Sequence, residues 1–157
     1  MPGALDLRRF LMASIADQLL AIEAATQLLF ARLNTLGSAR HFTSFMGELD
    51  GRPVDASRDQ QTRAARIGYI VEKTARVMPF RCVCLQQVLA VRRMLKRRHI
   101  PATVFLGVLP DQVGARNTST SSAPQDAAAH AWIRSGDKVV NGDMPDLGRY
   151  VVLGMFS

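Results

Sequence analysis

The feature that most constrains the fold is a change of period at Pro101. Before it, apolar residues recur three and four apart; after it, they come in short β-rich runs bounded by turn formers. Helices first and an antiparallel sheet second make an α+β domain.

The first helical stretch runs from Asp6 to about Leu36, with Phe10, Leu11, Ile15, Leu19, Ile22, Leu29 and Leu33 at helical spacing and Gly37 as its stop. That stripe is expected to pack on the rest of the domain. The polar face carries acids as well as bases, whereas a lipid-binding face is mainly basic. Ser38 to Ala56, with Gly47, Gly51 and Pro53, reads as a connection in which His41 is a solvated loop residue. Ser57 and Gln60 stand in capping-box spacing and open a second helix. Ile67, Ile70, Val71 and Thr74 form its inner stripe, Arg63, Arg66 and Lys73 its wet face, and Pro79 closes it around Met78.

The third stretch, Phe80 to His99, places Cys84, Val88, Val91 and Leu95 at i, i+4, i+7 and i+11, so they share one face, the buried one. Arg92, Arg93, Lys96, Arg97 and Arg98 read as a solvated basic face that also complements the negative helix C-terminus. Thr103 to Val108 is a strand and Leu109 to Ala127 a loop. Ala128 to Ser135 and Lys138 to Asn141 form a hairpin across Gly136-Asp137, with glycine first as a type II′ turn requires. Tyr150 to Phe156 supplies the last strand.

A chain of 157 residues with 48% hydrophobic content can bury its own core as one domain, 1–157. Two cysteines one residue apart are no disulfide framework, which points to a reducing cytoplasm. Arg8-Arg9 superficially fits a twin-arginine signal, but Asp17 and Glu23 break the apolar segment that should follow. The same acids keep every apolar run below the ~20 residues of a membrane span. A formal charge of +7 suggests an acidic partner. No helix-turn-helix, zinc finger or RNA-binding aromatic signature accompanies it, which argues against a nucleic-acid module. Zinc is disfavoured too: C-x-C at Cys82 and Cys84 is tighter than usual zinc spacing. His99 lies roughly 22 Å along the helix from Cys84 at 1.5 Å per residue.

The chemistry centres on Cys84. A thiol with its ordinary pKa near ~8.5 is mostly protonated at neutral pH; a histidine or a helix N-terminus lowers that value and yields the thiolate. Cys84 lies in the opening turn of its helix, and His130, on a later strand, is the candidate base. Cys82 lies off the buried stripe and is read as incidental, and Trp132 as core packing near the site. With a two-residue turn Ser135 pairs with Lys138, and counting back puts Asp143 opposite His130, close enough to fix the ring's tautomer. With a three-residue turn His130 faces Gly142, Asp143 reaches it diagonally, and Asn141 falls across from Ala131 on the wrong face.

Pro79 through Gly107, then HAWIRSGDKVVNG and a terminal aromatic-plus-aliphatic strand, resembles the transglutaminase-like B2 proteins of lasso peptide biosynthesis. Cys84-Leu85, Gly107-Val108 and His130-Ala131-Trp132 carry the likeness, which spans roughly Ala65 to the C-terminus. The resemblance implies a papain-like fold, with the antiparallel sheet packed on the Cys-bearing helix. Residues 1–56 would be its helical N-terminal part and 57–157 its catalytic core. It implies a cysteine peptidase that removes the leader of a ribosomally made precursor, using Cys84, His130 and an acid. It also implies a small leader-recognition partner, B1, an ATP-using cyclase downstream, and no cofactor. Arg134 stands where the family often has an acidic residue. The third triad member lies within Asn141-Gly142-Asp143, with Asp143 ahead of Asn141. A peptide-binding but catalytically silent domain is the nearest alternative.

Overall fold

A computed structural model describes residues 14–36, 52–110 and 129–157. It contains helices α1 (Ile15–Leu36), α2 (Arg58–Val77) and α3 (Cys84–Lys96). Strands β1 (Thr103–Val108), β2 (Ala129–Ser135), β3 (Lys138–Asn141) and β4 (Val151–Phe156) form one antiparallel sheet in the order β3-β2-β1-β4. A 3-10 turn, Leu147–Arg149, leads into β4. The expected beginning of the first helix, His41 and most of the 109–127 loop lie outside the described residues. No helix among the described residues is long and apolar enough to cross a membrane.

The elements arise where local chemistry favours them. Both halves of the α2 capping box form: the Gln60 amide donates to the Ser57 hydroxyl, and the Ser57 amide to Gln60 Oε1. Its inner stripe buries Ile67, Ile70, Val71 and Thr74 against α3 and β3. α3 starts four residues later than its apolar pattern, at Cys84 itself. Val83 is its N-cap and offers no side-chain acceptor, while Gln86 Oε1 takes the Val83 amide at 3.3 Å. The helix ends through His99, whose φ of +52° is left-handed, with the Ile100 amide reaching back to the Leu95 carbonyl at 3.1 Å. Val88, Val91 and Leu95 are essentially fully buried, meeting Val104, Ala131 and Ile133 of the sheet in the central core.

α1 packs on α3 and α2, but with the opposite face from the one its larger residues predict. Ile15, Leu19, Ile22, Leu29 and Leu33 point outward, between 47% and 76% exposed. The buried residues are Ala24, Gln27, Leu28 and Ala31, flanked by Leu20 and Ala21. The helix is apolar on both sides, and periodicity cannot choose between two apolar stripes. The alanine-rich one lets two helix axes approach closely.

The basic cluster likewise departs from a solvated face. Arg98 grips Glu23 of α1 through both terminal nitrogens, at 3.2 and 2.6 Å, and Arg97 joins at 3.3 Å. The Arg93 guanidinium lies 4.0 Å from the centre of the Phe30 ring. Arg92 is buried and donates to the Ser157 carbonyl at 2.9 Å. Arg93, Arg97 and Arg98 thus fasten this part of the chain to α1, and Arg92 fastens α3 to Ser157. One expected role holds: Arg98 also caps the Met94 carbonyl at 2.9 Å.

One close approach and one bulge fix the sheet. On α2, a Cβ added at Gly68 would fall 1.7 Å from the Val140 carbonyl oxygen, so only glycine lets the helix lie on β3 there. Val140 is the extra residue of a bulge: Val139 pairs with Arg134, yet Asn141 pairs with Ile133.

Candidate active site

Cys84 is the first residue of α3, where unpaired amides and the helix dipole favour negative charge. Burial is the largest single influence on its thiol and pushes the pKa up. A hydrogen bond with His130, the Ala131 amide, the charge of His130 and the Leu85 amide together outweigh it, leaving the thiol below its usual range. His130 shifts the other way. Its hydrogen bond with Cys84 raises its pKa, burial opposes this, and the Gly142 carbonyl and the thiolate charge add to the rise. The pair therefore leans toward thiolate and imidazolium.

His130 Nε2 lies 2.7 Å from the Gly142 carbonyl oxygen. A carbonyl only accepts, so Nε2 carries the proton and Nδ1 is left for the thiol. The ring is also held by its neighbours: Trp132 stacks at 6.1 Å between centroids and Tyr150 tilts against it at 5.5 Å, while Phe105, across the sheet from Trp132, stacks on that indole at 5.5 Å. Gly107, paired with His130 across β1 and β2, makes this possible. A Cβ there would sit 2.9 Å from the Trp132 ring.

The hairpin turn is as its sequence predicts, with Ser135 opposite Lys138 and Gly136 at a φ of +56°. The count back to His130 does not carry through. The bulge shifts the register between Ile133 and Arg134, and pairing stops at Asn141, so Asp143 never comes opposite His130. Gly142, at a φ of +78°, turns the chain there and delivers its carbonyl to the ring; a Cβ at this position would be 2.5 Å from the Ala131 carbonyl. Asp143 and Asn141 both line the cleft beside Cys84 and His130. Asn141 is buried, with its Oδ1 unpaired.

That cleft, of about 420 Å³, lies between α2, the start of α3 and the end of β3. It shares Glu72 and Gln87 with a second hollow of about 610 Å³ running past Met78, Phe80 and Cys82. The two hollows adjoin at these shared residues, and the thiol lies in the wall of the smaller one. Cys82 contrasts with Cys84: burial pushes its thiol up, against a weaker pull from Arg32, and its Sγ donates to the Phe80 carbonyl at 3.8 Å. Among the described residues no three His, Cys, Asp or Glu side chains are grouped to hold a metal.

Sequence reasoning named Cys84 and His130, and the fold brings them together. It missed the Gly142 carbonyl and the Ala131 and Leu85 amides, which are main-chain groups with no residue type to announce them. It also missed Tyr150 as a wall of the imidazole.

A thiol at a helix N-terminus beside a histidine from an antiparallel sheet is the arrangement that activates a cysteine as a nucleophile. A family model described as the transglutaminase-like superfamily matches residues 27–155, and the chain belongs to that superfamily. The superfamily includes both cysteine proteases and transglutaminases. No curated protein and no solved structure matches the chain.

Proposed function

We propose that the protein is a cysteine peptidase that removes the leader from a ribosomally made lasso-peptide precursor. The observation that carries this is the meeting of Cys84 and His130 in one cleft, where each draws the other toward its charged form, the thiol lowered and the imidazole raised.

The Cys84 thiolate attacks the scissile carbonyl. The oxyanion forms near the amides at the start of α3, which the cap at Val83 leaves without a side-chain acceptor. The His130 imidazolium gives its proton to the departing amine, and the leader remains as a thioester on Cys84. His130, now neutral, takes a proton from water, which displaces the thioester and regenerates the thiolate with its imidazolium. The Gly142 carbonyl keeps the ring in the required tautomer throughout. Asp143, in the wall of the same cleft, is the acidic member of the site. The reaction uses no cofactor and takes place in the cytoplasm. The precursor arrives with its leader held by a small B1 recognition protein and leaves for an ATP-using cyclase.

The order of Cys84-Leu85, Gly107-Val108 and His130-Ala131-Trp132 supports this reading, since each pair or triplet contributes to the one site. The test is cleavage of lasso-peptide precursors presented with a B1 leader-recognition protein, followed by mass spectrometry. Wild type is expected to release the leader; Cys84→Ala and His130→Ala should stop release while still folded, and Asp143→Ala should cost less than either. Full activity in Cys84→Ala, or no cleavage by wild type, removes the proposal.

A further inference from the structure

The outward face of α1 is unlike an ordinary surface. Ile15, Leu19, Ile22, Thr26, Leu29 and Leu33 follow one another at spacings of four, three, four, three and four, a strict heptad seam facing away from the core. Ile15 is 76% exposed, Leu19 62%, Ile22 59% and Leu33 60%. Thr26, the one polar member, spends its hydroxyl on the Ile22 carbonyl at 2.9 Å, so it adds a methyl to the seam and no unmet donor.

We propose that this seam binds the same seam of a second copy of the chain, α1 against α1. Area supports a stable pair. The five exposed aliphatic residues present on the order of 600 Å² per copy, so two copies would cover about 1,200 Å², the lower bound of specific interfaces. Spacing supports a helix as the occupant, because a 3.5-residue repeat matches only another helix wound the same way.

Charge supports a like partner. Selective pairing between different helices uses charges beside the seam. Here those positions are Ala16, Glu23 and Phe30 on one side and Gln18, Ala25 and Arg32 on the other. Glu23 is already held by Arg98, and Arg32 donates to the Arg81 carbonyl. With no charge code left to select a different protein, the complementary surface of matching length and composition is the seam itself. A lipid surface fits poorly, since it wants a basic border and Glu23 and Asp17 stand near this one.

Sedimentation velocity on the full chain from 1 to 100 μM tests the pairing. Wild type is expected to sediment as a concentration-dependent dimer, and Ile22→Lys with Leu29→Lys to weaken it at least 100-fold while leaving the melting temperature unchanged at concentrations where both proteins are monomeric. Thr26→Leu should tighten it about fivefold or more, a gain that misfolding cannot produce. A wild type that stays monomeric at 100 μM overturns the proposal. So does a dimer indifferent to both sets of substitutions, or flotation of wild type with phosphatidylserine vesicles that the lysine pair abolishes.

Discussion

Replacing Gly68 with alanine sets two magnitudes against each other. On helix propensity alone the change stabilises α2 by about 1 kcal/mol. The new Cβ, however, would lie 1.7 Å from the Val140 carbonyl oxygen and 2.7 Å from its carbon. Ordinary contact needs about 3.5 Å, so helix and strand must part by roughly 1.5 Å or more. Overpacking of this kind costs about 1–3 kcal/mol. Val140 is the bulged residue two positions before Gly142, so its displacement also draws the Gly142 carbonyl off His130, forfeiting a further ~1 kcal/mol. The net loss is on the order of 1–3 kcal/mol, or about 2–12 °C in melting temperature for a chain of this size. Thermal unfolding followed by circular dichroism measures it. In a Cys82→Ala background, the pH midpoint of Cys84 alkylation by iodoacetamide should rise as well. A Gly68→Ala protein as stable as wild type, with an unmoved alkylation midpoint, would refute the coupling of α2 to the imidazole.

Alkylation of Cys84 in the wild type should begin below the ordinary thiol range, and peptide cleavage should hold a plateau through neutral pH. It should fall on the acid side as Cys84 protonates and on the alkaline side as His130, raised above its usual value, loses its proton; one limb alone would contradict the ion pair. His99→Gly removes a side chain from a left-handed position and should stabilise by about 0.5–1 kcal/mol in denaturant titrations. Glu23 has its carboxyl pulled down first by its hydrogen bond with Arg98, against burial, with the charges of Arg98 and Arg97 assisting. A depressed folded pKa stabilises above the unfolded carboxyl value and is lost as pH falls through the folded one. Glu23→Gln should therefore cost roughly 1 kcal/mol at pH 7, a cost that shrinks as pH falls below the ordinary carboxyl range, read as the difference in unfolding midpoints.

The elements were legible wherever one local rule decided them. Ser57 and Gln60 announced α2, the Gly136-Asp137 turn announced the hairpin, and Cys84 stood with Val88, Val91 and Leu95 on a face that proved buried. The failures share a cause, which is competition between options that local rules rank equally. α1 has two apolar faces, and the buried one was chosen by how closely alanines let it approach α3. The arginines of this stretch looked solvated because their partners are remote in the chain: Glu23, the acceptor of Arg97 and Arg98, lies some seventy-five residues from Arg98, and Arg92 reaches Ser157. The count that set Asp143 behind His130 assumed an unbroken ladder, and one bulged residue, admitted by a glycine on another element, moved it. Two members of the site could be named from residue types, whereas its hydrogen-bonding frame is peptide groups.

That frame bears on how such a site can change over generations. The acceptor behind His130 is the Gly142 carbonyl, which every codon at that position would still encode. Substitutions at Asn141 or Asp143 can alter the walls of the cleft and leave this bond intact, provided the chain still turns at residue 142. Mutagenesis therefore reaches it only by bending the backbone. Semisynthesis reaches it directly: an ester in place of the amide joining Gly142 to Asp143 weakens that one acceptor while every side chain stays as it was.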